Sequence, residues 1–182
     1  MSSIIKLKDN SIIHISEFIR LKYNLGEGCN TFGNELHPLV IEIMKEAAVE
    51  KSLKIIAAGL KSEDEIKSRL ADAGFQDYSV IFAVEKLKDY KYINDFEYAK
   101  QFILSKKIGR LKAEFELEKK GISKEIVNQI YSENDWLERE NINYHIEKNK
   151  KKSTAQKFGI LVRNGFEKEG IVEVLGIEEE SI

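Results

Sequence analysis

The 182-residue sequence predicts a mainly α-helical protein, built of tandem three-helix repeats that form an elongated array, with a small N-terminal β-hairpin-like extension. Three observations carry this expectation. From Pro38 onward, apolar residues recur at spacings of three and four, as they do on the buried face of a helix. The one proline of the chain stands where that texture begins, and at the first position of a helix its missing N–H would have had no partner anyway. Finally, a stop signal recurs as Leu70-x-x-x-Gly74-Phe75, Leu117-x-x-x-Gly121-Ile122 and Leu161-x-x-x-Gly165-Phe166, with glycines 47 and 44 residues apart, a period proper to helical repeats.

Residues 1–37 form the hairpin and loop extension. Ile4-Ile5-Lys6-Leu7 and Ile12-Ile13-His14-Ile15 flank the turn residues Asp9-Asn10-Ser11. Gly26, Gly28, Asn30, Gly33 and Asn34 then read as a surface loop, because Gly26-x-Gly28 lacks the third glycine and the directly following helix of a phosphate-binding loop. Residues 38–61 form a leading helix with Leu39, Ile43 and Ala47 beside Val40, Met44 and Ala48.

The first repeat spans 62–105. Ser62 and Glu65 are spaced as a capping box, Ile66, Leu70 and Ala73 share a face, and Gly74 takes the left-handed turn that sets Phe75 against Leu70. Beyond each of the three glycines, apolar residues recur at the same offsets: Val80, Ala83 and Val84; Val127, Ile130 and Tyr131; Ile171, Val174 and Leu175. A third helix follows Asn94 and Glu97, stapled by Ile93 and Tyr98, with Phe96, Ala99, Phe102 and Ile103 facing inward. The second repeat spans 106–152, and Asn134-Asp135-Trp136 opens its third helix. The third, 153–182, reads as truncated: Lys157 stands where the earlier copies have Ile66 and Ala113, Gly170 lies inside a helix, and Glu178-Glu179-Glu180 replaces a third helix.

Chemistry has little to stand on. His14, His37 and His145 are far apart without ligand-spaced partners, and Cys29 has no basic cluster or helix start beside it to lower its pKa. One cysteine forms no internal disulfide, and no apolar run is long enough for a membrane span, so a cytoplasmic, soluble protein without metal or cofactor is expected. Pairs such as Glu114/Glu118 and Glu63/Lys67 fit a solvated helix face. Phe75, Tyr92, Phe96, Tyr98, Phe102 and Phe166 occupy packing or capping positions rather than a stacking ladder.

Charge is more informative. The net charge is −2, yet residues 100–152 hold 13 Lys+Arg against nine acids while each flank is net acidic. The cations gather at the two repeat junctions, Lys106, Lys107, Arg110 and Lys112 before the second copy, and Lys148, Lys150, Lys151 and Lys152 before the third. Such a spaced pair of patches suits a long anionic partner, and it equally suits linkers that are charged because they are exposed.

With these residues in view, the chain resembles the RecX family, bacterial modulators of the RecA recombinase. The resemblance rests on Lys61-Ser62-Glu63-Asp64-Glu65, Leu70-x-x-x-Gly74-Phe75, Leu87, Tyr92-Ile93-Asn94-Asp95-x-x-Tyr98-Ala99, Gly109-Arg110-x-Lys112 and Glu116-Leu117-x-x-Lys120-Gly121-Ile122, and covers about residues 45 to 176. One departure is Gly59, where members often carry an arginine. The resemblance implies a monomeric, non-catalytic protein that binds the RecA filament, with the DNA inside it as a candidate second contact, and lowers recombinase and ATPase activity. The two basic clusters are the candidate contact residues. An autonomous helical DNA-binding protein and a helical scaffold for another protein remain the competing readings.

Overall fold

The computed structural model describes residues 3–6, 12–27, 29–31 and 38–177. The chain divides into two compact units, Met1–Asn94 and Asp95–Ile182.

In the first unit, β1 (Ser3–Lys6) and β2 (Ile12–Ile15) pair antiparallel with Ile4 opposite His14, as the hairpin pattern predicts. Ile5 and the alternate residues Ile13 and Ile15 point to the buried side. Two elements depart from expectation. Cys29–Thr31, read as part of a loop, forms β3 along β1 in parallel, giving the order β2-β1-β3. Three residues are too few to show an alternating pattern, and the ladder on the neighbouring strand is what makes them a strand. The six-residue helix α1 (Glu17–Lys22) is likewise too short to show a helical period. Ser16 caps it, its Oγ accepting the Ile19 N–H at 3.2 Å while donating to Glu50 at 2.5 Å. The remaining loop glycines Gly28 and Gly33, and Asn34, lie outside the described residues.

Three longer helices complete this unit: α2 (Pro38–Ala57), α3 (Glu63–Asp72) and α4 (Asp77–Asp89). A single core joins Ile5, Ile13, Ile15 and Ile19 of the leader to Ile43 and Met44 of α2, Ile66 and Leu70 of α3, and Val84 and Leu87 of α4. Each such aliphatic side chain contributes about 1.5–3 kcal/mol on burial, so the hairpin is held as part of the first core.

The second unit contains α5 (Asp95–Lys106), α6 (Arg110–Glu118), α7 (Lys124–Glu133), α8 (Trp136–Lys148), α9 (Thr154–Arg163) and α10 (Lys168–Leu175). It has two cores. One gathers Ala99 and Ile103 of α5, Ala113 and Leu117 of α6, and Val127, Ile130 and Tyr131 of α7; the other gathers Ile142 of α8, Leu161 of α9, Phe166 of the turn that follows it, and Ile171 of α10. Tyr98 belongs to the former core, whereas Ile93 belongs to that of the first unit.

All three stop signals close as the spacing predicts. The N–H groups of Phe75, Ile122 and Phe166 donate to the carbonyls of Leu70, Leu117 and Leu161 at 3.1, 3.0 and 3.3 Å, around glycines with φ of 86, 75 and 79°. The helices that pack around each stop are α2 with α3 and α4, α5 and α6 with α7, and α8 with α9 and α10. Each packed trio therefore begins one helix before the corresponding sequence copy. A glycine stop marks the middle of a helix pair and carries no information about which flanking helix covers it. For α9 and α10 the cover is α8, so that core closes within the described residues; Glu178, Glu179 and Glu180 lie beyond them.

Candidate functional site

The eight candidate cations all lie in the second unit, where they are of two kinds. Lys106, Lys148, Lys150, Lys151 and Lys152 are exposed and, among the described residues, have no carboxylate at ion-pair distance. Lys106 ends α5, with its ammonium 5.9 Å from the Phe102 ring centroid; Lys148 ends α8, 5.7 Å from that of Tyr144. Cations at helix C-termini are favoured by the backbone dipoles there, which accounts for their place but leaves the charge facing solvent. Lys150–Lys152 continue directly into the turn before α9.

Lys107, Arg110 and Lys112 are instead built into the fold. Lys107 adopts φ 53°, its carbonyl lies 2.7 Å from Nε2 of His145, and its ammonium pairs with Glu140 at 3.1 Å. Arg110 opens α6, its guanidinium 3.7 Å from Glu167 and 5.8 Å from the Tyr131 ring centroid. Lys112 donates to Oδ1 of Asn164 at 3.4 Å.

The backbone explains why these residues are held. No side chain caps α6 at Gly109; its N-terminal N–H groups donate to the end of α9 instead, Gly109 to the Asn164 carbonyl at 2.9 Å and Leu111 to the Gly165 carbonyl at 3.1 Å. One junction thus satisfies orphan donors of one helix and orphan acceptors of another, and it sets a positive dipole end against a negative one. The approach is close: a Cβ on Gly109 would lie 2.4 Å from the Gly165 oxygen, and one on Gly165 would lie 2.3 Å from the Lys112 nitrogen. Next to it, the Ile108 carbonyl accepts from Tyr131 Oη at 2.9 Å and from Asn141 Nδ2 at 3.2 Å.

Two ionisable groups sense this junction. Burial pushes the Glu138 carboxyl up, aided by the Glu167 carboxylate; Arg110 and the backbone N–H groups of Glu167 and Arg110 act the other way without prevailing. One Glu138 oxygen has no hydrogen-bond partner among the described residues. Burial, with the Glu138 charge, also holds the Tyr131 hydroxyl far above its ordinary range. Neither Glu138 nor Asn141 stands out by residue type or by a motif in the sequence. His145, which has no ligand-spaced partner in the sequence, is half-buried and lies edge-on to Phe166, 5.8 Å between centroids. The one available signal was the spacing of Glu138, Asn141 and His145, at three and four residues on one face of α8.

Elsewhere the expectations divide. Phe75 and Phe166 are buried, and Phe96, Tyr98 and Phe102 join a core, but the Tyr92 side chain is exposed; only its N–H serves the stop, donating to the Leu87 carbonyl at 2.8 Å. Among the described residues, no group of His, Cys, Asp and Glu could hold a metal ion, and no helix is long and apolar enough to cross a membrane. His37 lies outside the described residues, and Cys29 falls in β3.

Helix trios joined at glycine turns, with cations at helix ends that meet no carboxylate among the described residues, define a helical-repeat protein. No family model matches the chain. It is similar to the regulatory protein RecX of Clostridium beijerinckii, with 30% identity over 144 residues, 71% of this chain and 68% of that protein. It is similar also to the regulatory protein RecX of Caldanaerobacter subterraneus, with 28% identity over 142 residues, 74% of this chain and 72% of that one. Two solved structures share the fold: RecX from Lactobacillus salivarius, at TM-score 0.62 and 18% identity over 73% of this chain and 95% of that one, and a regulatory protein RecX, at TM-score 0.63 and 14% identity over 90% and 88%. The chain belongs to the RecX family of regulatory proteins.

Proposed function

We propose that this chain acts in the cytoplasm as a monomer that binds RecA, or RecA filaments on DNA, and lowers their recombinase and ATPase activity without chemistry of its own. It would thereby restrain homologous recombination and DNA repair. Family membership carries the reading, and the surface supports it: five lysines at the ends of α5 and α8 face solvent with their charge uncompensated. The contact set is Lys106, Lys107, Arg110, Lys112, Lys148, Lys150, Lys151 and Lys152, in which the five exposed lysines meet the partner and the other three hold the junction between them. We also propose that 62–105, 106–152 and 153–182 are copies of one helical repeat, with these cations at the junctions between copies. A near-neutral molecule with local cations favours a composite surface of protein and nucleic acid over free DNA.

The test is a titration of the purified protein into RecA hydrolysing ATP on single-stranded DNA, beside DNA binding alone at two salt concentrations. Inhibition without strong free-DNA affinity is expected. Tight, steeply salt-dependent binding to DNA with no effect on RecA would instead identify an autonomous DNA-binding protein.

A further inference from the structure

The first unit carries a groove that the RecA reading does not use. It is lined by Phe18 and Lys22 of α1, Glu46, Val49, Glu50 and Leu53 of α2, Phe82 and Lys86 of α4 and Tyr90 just past its end, and encloses about 410 Å³. That volume is in the range of ligand-binding clefts. Its apolar lining is unusually open for side chains of this size: Phe18 is 68% exposed, Tyr90 61% and Leu53 39%. The α2 residues follow a 0, 3, 4, 7 spacing, and Phe82, Lys86 and Tyr90 a 0, 4, 8 spacing. At 1.5 Å per residue the α2 wall runs for about 10 Å, the length over which a helix presents two turns of anchors.

Charge around the groove distinguishes among occupants. Its two acids are already neutralised: Glu46 pairs with Lys22 at 2.5 Å, and Glu50 pairs with Lys54 at 2.7 Å and accepts from Ser16. Lys86 of the lining, and Lys45 beside it, are not. Lys45 and Lys86 flank the Phe82 ring, 5.0 and 5.8 Å from the centroid, and neither meets a carboxylate among the described residues. An ammonium held only by a ring face keeps most of its hydrogen-bonding capacity for a newcomer. A second copy of this chain would bring the same neutral acids and the same spare cations, so copy on copy would set like charge against like.

We propose that this groove is a docking site for an acidic amphipathic helix of another protein, whose large apolar side chains enter between Phe18, Leu53 and Tyr90 while its carboxylates meet Lys86 and Lys45. The site belongs to the first unit and its recognition is apolar and anion-selective, so it is a second interaction surface beside the lysines of the second unit.

The test needs no recombinase, which keeps its failure separate from any failure of the RecA reading. The full chain is titrated against a fluorescein-labelled amphipathic helical peptide with Leu and Phe on one face and Glu on the other, and against a twin with Lys at every Glu position. Fluorescence anisotropy should show the acidic peptide binding at least about tenfold more tightly, a difference of about 1.4 kcal/mol. Leu53→Asp, at an exposed position whose loss leaves the core intact, should abolish that binding with unchanged circular dichroism. Lys86→Glu should shrink or invert the preference. Equal binding of the twins, no binding of either, or indifference to Leu53→Asp overturns the proposal. So does sedimentation showing a dimer that Leu53→Asp dissociates, since the groove would then be filled by a second copy.

Discussion

The start of α3 and the start of α6 occupy equivalent places before a glycine stop, yet they are completed in opposite ways. Ser62 and Glu65 close α3 on itself, the Ser Oγ accepting the Glu65 N–H at 3.2 Å and the Glu carboxylate accepting the Ser62 N–H at 3.3 Å. Gly109 offers no side chain, and α6 borrows its acceptors from the end of α9, 55 residues downstream. The first start is a local structure written in four residues. The second exists only when the neighbouring helix trio is in place, so the two trios of the second unit are coupled through backbone groups. Substitutions at the two starts should therefore differ in size and in reach.

The largest effect is expected at Gly109. Its φ of −83° suits any residue, so only the close approach to Gly165 demands glycine. Gly109→Ala should cost about 3 kcal/mol or more, because backbone atoms at 2.4 Å cannot give way as a flexible side chain can. Denaturant unfolding should show the loss, and hydrogen exchange should place it in α6, α9 and α10. Exchange confined to α6 would break the comparison.

Ser62→Ala should cost less, about 1 kcal/mol, and its effect should stay at the start of α3. The same exchange experiment would read it as early opening of α3 with the second unit unchanged.

A smaller effect of opposite sign is expected from Gly170→Ala. Gly170 lies inside α10, and an added Cβ would meet only Ile142 Cδ1 at 3.8 Å, ordinary contact. Removing a mid-helix glycine should raise stability by about 0.5–1 kcal/mol, visible as a higher denaturation midpoint.

The pH dependence contributed by Glu63 and by Glu138 should run in opposite directions. Burial raises the Glu63 carboxyl, but Lys67 at 2.6 Å and Lys88 outweigh it and hold the group below its ordinary value of 4.5. Its contribution is present above that value and is lost as pH falls through the lower folded value. Glu138 is shifted up from 4.5, so its contribution is complete below 4.5 and is lost as pH rises through the raised folded value. Thermal melts of Glu138→Gln should accordingly show less weakening than the native chain on going from about pH 5 to neutrality. An identical pH profile for the two would contradict the assignment.

Much of this architecture was legible in the sequence because it is local. The capping box at Ser62, the proline at the head of α2 and the three glycine stops are each specified within a few residues, and each forms as spaced. What could not be read was whatever depends on a distant partner. Cys29–Thr31 becomes a strand only beside β1, and Gly109 must be glycine only because Gly165 lies against it. The basic cluster at 106–112 showed the same ambiguity: charge alone could not separate Lys106, which faces solvent, from Lys107, Arg110 and Lys112, which hold Glu140, Glu167 and Asn164.

That separation gives the most direct test of the account. Two variants are compared in RecA-driven ATP hydrolysis on single-stranded DNA at matched helicity: Lys106, Lys148, Lys150, Lys151 and Lys152 all changed to Gln, and Lys107, Arg110 and Lys112 all changed to Gln. The first should keep native stability and lose most of its inhibition, while the second should lose stability and, where folded, retain most of its inhibition. Full inhibition by the folded five-lysine variant would contradict the account.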